Sequence, residues 1–208
     1  MTARRAAAAL VAIAALAGCG TLQHAPDPEI DEGAWPVARD QATRFTDLYA
    51  GFEHRASIWS IRLTGEVREE RTRRLAQWLS WTPAELEAKL ADERAEAAKW
   101  DDFIVFVYTA DPKWNDLDAP ESIWRLEYDV GGGEALAAKV EALGRTATFD
   151  ALFPMGGPFD TAYRLRFPLQ AEGATPLPGV LRCASALGEM LLAYTPGSKP
   201  TPAPRKVE

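Results

Sequence analysis

The chain has 208 residues, of which 23 are basic and 30 acidic, for a net charge of −7, and it carries seven Trp but only two His. The roughly 190 residues that follow an apolar leader are enough for one domain with its own core. The acidic balance, with no Lys/Arg block interleaved with aromatics, argues against a nucleic-acid partner, and His24 and His54 alone are too little for a triad or a multi-His metal centre.

In chain order, Arg4 and Arg5 come first, then an apolar run over residues 6–17, then small residues before Cys19. That order is a secretory signal over residues 1–18, too short for a transmembrane helix, which needs about 20 apolar residues. Leu16-Ala17-Gly18-Cys19 resembles the bacterial lipobox. The resemblance implies cleavage before Cys19, acylation of Cys19 and attachment to the membrane through that lipid. Each buried methylene contributes about 0.8 kcal/mol, so two or three acyl chains anchor stably where one is marginal. Gly20 stands where an Asp favours inner-membrane retention in lipoproteins of Gram-negative bacteria, so the resemblance implies the outer membrane, facing the periplasm. From the lipidated Cys19 to residue 35 the chain is Pro-, Gly- and acid-rich, a flexible tether.

Residues 36–194 are expected to form a single domain. Val37, Gln41, Phe45 and Leu48 have roughly helical spacing after Pro36, and predict a short helix. Residues 57–63 alternate and predict a strand with Trp59, Ile61 and Leu63 inward and Ser60 and Arg62 outward. The densely charged stretch 65–100 fits two helices. The second is marked by Thr82 as cap, Pro83 in the first turn and Glu85 three residues after Thr82. Glu85, Lys89 and Glu93 are spaced to pair along it, and the run Arg68, Arg71, Arg73, Arg74, mixed with Glu69 and Glu70, reads as a solvated face.

Residues 103–109 carry no charge and are rich in aromatic and β-branched side chains, which predicts a strand buried on both faces. Residues 122–129 alternate, with Trp124, Leu126 and Tyr128 against Arg125, Glu127 and Asp129, and predict a one-sided strand. Together they suggest a β-hairpin closed by the acidic loop 110–121, with the helical pair lying over the outer face of 103–109. Gly131, Gly132 and Gly133 mark a reversal. The later half of 134–143 reads as a strand. Residues 161–167 predict another, with Tyr163, Leu165 and Phe167 inward and Arg164 and Arg166 outward, and residues 180–184 and 189–194 a closing hairpin. Residues 195–208 read as a disordered, Pro-rich tail. Six or seven alternating strands interrupted once by helices predict a mainly β fold: an antiparallel β-sandwich, immunoglobulin-like in broad architecture, with an inserted α-helical hairpin over 65–100. The stretch 108–126 resembles segments of uncharacterised proteobacterial envelope lipoproteins, a resemblance that extends over about residues 50–195 and carries no activity.

No catalytic set is expected. The sequence contains no Gly-x-Ser-x-Gly elbow, Walker loop, His-Glu-x-x-His helix or spaced Cys set. His54 reads as a half-exposed sheet residue and Cys183 as a buried, inert thiol. Asp111, Asp116 and Asp118 are dense enough in oxygen for a calcium alternative, but their spacing is not that of an EF-hand, and turn formation is the expected role. Trp78 is expected in the core, while Trp81, at the helical turn, and Trp114, in the acidic loop, are the candidate partner contacts. The reading is therefore a lipid-anchored, periplasm-facing envelope protein without cofactor, a non-enzymatic binding or structural module for an envelope protein or polymer. The alternative is a carboxylate-dependent hydrolase of an envelope polymer.

Overall fold

A chain segment with apolar side chains on both faces must lie inside a sheet and between two layers, and residues 103–109 do. In a computed structural model describing residues 33–131, 136–169 and 171–201, strand β3 (Trp100–Thr109) is central in a five-stranded antiparallel sheet. Its neighbours are β2 (Glu53–Arg62) and β7 (Thr161–Pro168), with β1 (Thr43–Ala50) and β6 (Lys139–Ala142) at the edges. The second sheet is ordered β5 (Leu136–Ala137), β4 (Arg125–Asp129), β8 (Gly179–Ser185), β9 (Gly188–Tyr194). Phe103, Val105 and Val107 of β3 pack with Tyr163, Leu165 and Phe167 of β7 against Leu126, Tyr128, Leu181, Met190 and Leu192 of the second sheet. The fold is thus mainly β, an antiparallel β-sandwich with an inserted helical pair. Residues 1–32, which include Cys19 and most of the tether, lie outside the described residues, as do Gly132, Gly133 and residues 202–208.

The expected hairpin of 103–109 with 122–129 does not form. Both edges of β3 are taken, Phe103 opposite Arg62 of β2 on one side and Leu165 of β7 on the other. The loop after Thr109 instead crosses to the second sheet, where Leu126 pairs with Cys183. Nor is the outer face of β4 fully wet: Glu127 is buried, held by Arg125 (2.5 Å) and Arg182 (3.0 Å).

Strand β2 keeps its expected alternation, but both of its faces are covered. Ala56 and Ile58 enter the sandwich core, while Ile61 and Leu63 pack on the opposite face. Ser60 and Arg62, expected outward, are buried. Ser60 accepts from the Tyr194 hydroxyl (2.9 Å), and Arg62 donates to both oxygens of Asp101 (3.0 and 2.6 Å) beneath the Tyr128 ring. Both polar groups are satisfied, which is the condition for their burial.

Helix α1 (Trp35–Ala42) is shorter than the helical spacing of Phe45 and Leu48 suggests. Residues 43–50, rich in Thr and aromatics, pair along β2 instead, a tertiary contact that overrides local periodicity. Helices α2 (Gly65–Leu79) and α3 (Pro83–Ala97) form as expected. Thr82 and Glu85 make the capping box, with Glu85 N donating to Thr82 Oγ1 (3.3 Å) and Thr82 N to Glu85 Oε2 (2.7 Å). Lys89 pairs with Asp92 (3.8 Å) rather than Glu93, which turns away to Arg68 and Arg71.

The helical pair covers less of β3 than expected. Ile104 and Phe106 lie under Trp35 and Ala38 of α1, Val67 of α2, and Leu152, Phe153 and Met155, which belong to or follow α4 (Ala147–Leu152). Of α3 only Leu90 is buried. The α4 segment, which carries no clear periodic signal, starts at Thr146, whose Oγ1 accepts from Phe149 N (3.1 Å). The closing hairpin β8–β9 and strand β6 form as expected. The start of the Pro-rich tail is tied down, Thr201 N donating to Thr43 O (2.9 Å) and Arg44 to Ser198 Oγ (3.1 Å).

Candidate functional site

A bulge in β2 brings an aromatic row to the outer face of the first sheet. Leu48 pairs with Ala56 but Tyr49 with His54, so Arg55 is extra, and a single extra residue re-aims the side chains beyond it. Tyr49 and His54 thereby join Tyr108 of β3 on the outer face of the sheet. The rings run across three strands, Tyr49 to His54 at 4.9 Å and His54 to Tyr108 at 5.4 Å, the latter pair within 13° of parallel. Asp47 Oδ1 lies 3.3 Å from His54 Nε2. Phe45 and Trp59 stack further along the same face (4.3 Å).

Beside this row, a cleft of about 490 Å³ is lined by Tyr108, Thr109, Pro112, Asn115, Phe159 and Thr161. Its walls are fixed. Asn115 Nδ2 donates to Val107 O (2.8 Å), and the Tyr163 hydroxyl donates to Asn115 O (2.9 Å). Opposite, Arg145 donates to Gly157 O (2.6 Å) and Asp150 (2.7 Å), and Gly157 N to Asp160 Oδ2 (2.7 Å). Phe159 is held by this loop with 80% of its surface in water. A second hollow of about 220 Å³, lined by Glu53, Arg55, Asp111, Trp114 and Leu187, adjoins the first across Ala110.

Of the two tryptophans expected as contacts, Trp114 reaches this end of the molecule. It is half-buried, its carbonyl accepts from Trp124 Nε1 (2.6 Å), and Lys113 Nζ sits 4.6 Å from its ring centre. Trp81 is half-buried at the α2–α3 turn and lines neither hollow. Its neighbour Trp78, expected in the core, is exposed, with the Arg74 guanidinium 4.6 Å from its ring centre.

The acidic loop uses Asp111 and Asp116 in its own turn, while Asp118 is exposed. Asp111 accepts from Lys113 N (3.2 Å) and pairs with its ammonium (2.7 Å), which holds the carboxyl below its usual range; Asp116 accepts from Ser122 Oγ (3.1 Å). No three His, Cys, Asp or Glu side chains among the described residues are gathered to hold a metal ion. Millimolar Ca²⁺ is therefore expected to leave the melting temperature unchanged. A ligand at 100 times its dissociation constant adds about 2.7 kcal/mol, a rise of several degrees; such a rise, abolished by Asp116→Asn or Asp118→Asn, would make this loop a calcium site. Cys183 is buried mid-strand, its thiol pushed up to about 12 by desolvation, too high for a nucleophile at neutral pH.

The strongest departure from expectation is the basic run. Arg68 is 2% exposed and bridges the layers, donating to Asp102 Oδ2 (2.7 Å) and Glu93 Oε2 (2.9 Å). Arg164 (3.1 Å) and Arg166 (3.0 Å) also donate to Asp102, and Arg166 reaches Glu96. Burial alone would raise the Asp102 pKa, but the bonds and charges of Arg68 and Arg164 outweigh it and lower it. Asp101 keeps a raised pKa because desolvation exceeds what Arg62 returns. Asp101 also lines a smaller cavity, about 130 Å³, at the other end of the sandwich with Tyr128, Val130, Leu169 and Leu177. Arg62 and the Tyr128 hydroxyl close it by donating to Leu177 O (2.7 and 3.0 Å). Asp102 thus ties α2 to the sheet through Arg68, and Asp101 is held by Arg62 of the neighbouring strand.

Tyr49, Tyr108 and Phe159 were not singled out by the sequence, because strand alternation does not reveal a bulge and Phe159 lies in a stretch without periodicity. Comparison of the chain with protein-family models, with curated proteins and with solved structures returns no match.

Proposed function

We propose that the protein is a lipid-anchored component of the bacterial cell envelope, held by acyl chains on Cys19 in the outer membrane and facing the periplasm, with a sandwich that works as a non-enzymatic binding module. The anchor rests on the order of basic, apolar and small residues up to Leu16-Ala17-Gly18-Cys19. The binding role rests on one observation: Tyr108 and Phe159 line a cleft whose loops are already fixed by hydrogen bonds, so a ligand meets a preformed surface. The alternative of a carboxylate hydrolase needs two acids facing each other across a cleft, and Asp111 and Asp116 are instead engaged by Lys113 and Ser122.

A photo-crosslinking residue placed at Phe159 in the full-length protein, in intact cells, tests the module. A discrete envelope adduct is expected from position 159 and none from Leu191, which is exposed on β9. Equal labelling from both positions, or none from either, would overturn the assignment of the cleft.

A further inference from the structure

We propose that the cleft between Tyr108 and Phe159 takes a neutral saccharide ring of an envelope glycan, an inference that rests on the binding-module reading above and names its ligand class. Its lining contains no ionisable acid or base that is charged at neutral pH. An ionised ligand group would be desolvated there without a partner of opposite charge.

The lining is also mixed in kind. Tyr108 and Thr161 bring hydroxyls, Phe159, Pro112 and the Tyr108 ring an apolar surface, and the Thr109 hydroxyl and Asn115 amide are held in the wall by Asp111 O (2.9 Å) and Val107 O (2.8 Å). A sugar ring has the complementary division, a face of C–H groups and a rim of hydroxyls, and aromatic side chains with a polar tip match both. Tyr108 is held in place by the near-parallel His54 ring, so little side-chain freedom is lost on binding. At about 490 Å³ the cleft is within the range of small-ligand sites, roughly 300–1,000 Å³, and its open side lets a chain continue outward.

The test is isothermal titration of the full-length protein with two neutral probes, chitohexaose and maltohexaose. At least one is expected to bind, with affinity reduced tenfold or more by Tyr108→Ala and by Phe159→Ala, and unchanged by Leu191→Ala. Phe159 is exposed, so its variant folds even if Tyr108→Ala does not. Absence of binding by either probe, or binding indifferent to Phe159→Ala, overturns the saccharide assignment. A position-159 crosslink to a protein, with no glycan binding, would do the same while leaving the binding module standing; loss of both would remove the module too.

Discussion

Asp102→Ala is expected to lower the free energy of unfolding by about 3–5 kcal/mol, the cost of removing one partner from a buried ion-pair network. Asp102 is fully buried and accepts from Arg68, Arg164 and Arg166. Without it Arg68, itself 2% exposed, loses its innermost partner and keeps only Glu93 and Leu63 O. The effect reaches beyond one strand, because Arg68 is on α2, Glu93 and Glu96 on α3, and Arg164 and Arg166 on β7. Few apolar contacts hold α3, whose one buried side chain is Leu90, so charge is what fastens α3 in place.

The pH dependence has a definite sign. The Asp102 pKa is lowered in the fold from an ordinary value of 3.8, so its stabilisation is present above about pH 4 and is lost as the pH falls through the lowered value. Glu96, lowered by Arg166, acts in the same direction, though its exposure and solvent screening make its share small. Asp101 runs the other way: its raised pKa makes ionisation costly in the fold, so protonation there relieves strain as the pH falls. Urea melts from pH 7 to pH 3 should therefore show a steep loss of stability below pH 4 in the natural protein, and a shallower one in Asp102→Ala. Identical slopes would mean that the network contributes nothing to acid sensitivity.

Phe103→Ala is expected to cost about 3–5 kcal/mol, a large part of the 5–15 kcal/mol that stabilises a typical domain. The Phe103 ring is fully buried and meets Tyr128 (5.2 Å), Phe167 (5.6 Å) and Tyr194 (5.2 Å), rings drawn from both sheets. It also packs against the Arg62 guanidinium (5.7 Å), so a cavity there loosens the support of the Arg62–Asp101 pair. Leu191→Ala, on the exposed face of β9, should change stability by less than about 0.5 kcal/mol. Urea denaturation of both variants checks the contrast; a comparable loss in each would place the energetic centre elsewhere.

What could be read in advance was what local pattern determines. The uncharged run at 103–109 demanded burial on both faces, and Thr82, Pro83 and Glu85 wrote the start of α3 independently of any tertiary contact. Pairing was not legible, because β3 had two candidate edges and the order of strands depends on contacts far apart in the chain. Arg164 and Arg166 alternate as outward residues do, yet they lie opposite Ile104 and Asp102, and only that register reveals the clamp. Arg68 illustrates the same limit: on a helix mixed with Glu69 and Glu70 it looks solvated, and its burial follows from where Asp102 and Glu93 come to lie. The aromatic row of Tyr49 and His54 depended on one extra residue at Arg55, and the cleft beside it on a loop without periodicity around Phe159, neither of which leaves a pattern to count.

The central claim, a binding module tethered to the envelope by lipid, stands or falls first on Cys19. Mass spectrometry of the mature protein from a membrane fraction should find a chain that begins at Cys19 and carries acyl chains on it, and Cys19→Ser should accumulate as an uncleaved precursor. A mature protein with an unmodified amino terminus, recovered in the soluble periplasmic fraction, would contradict it.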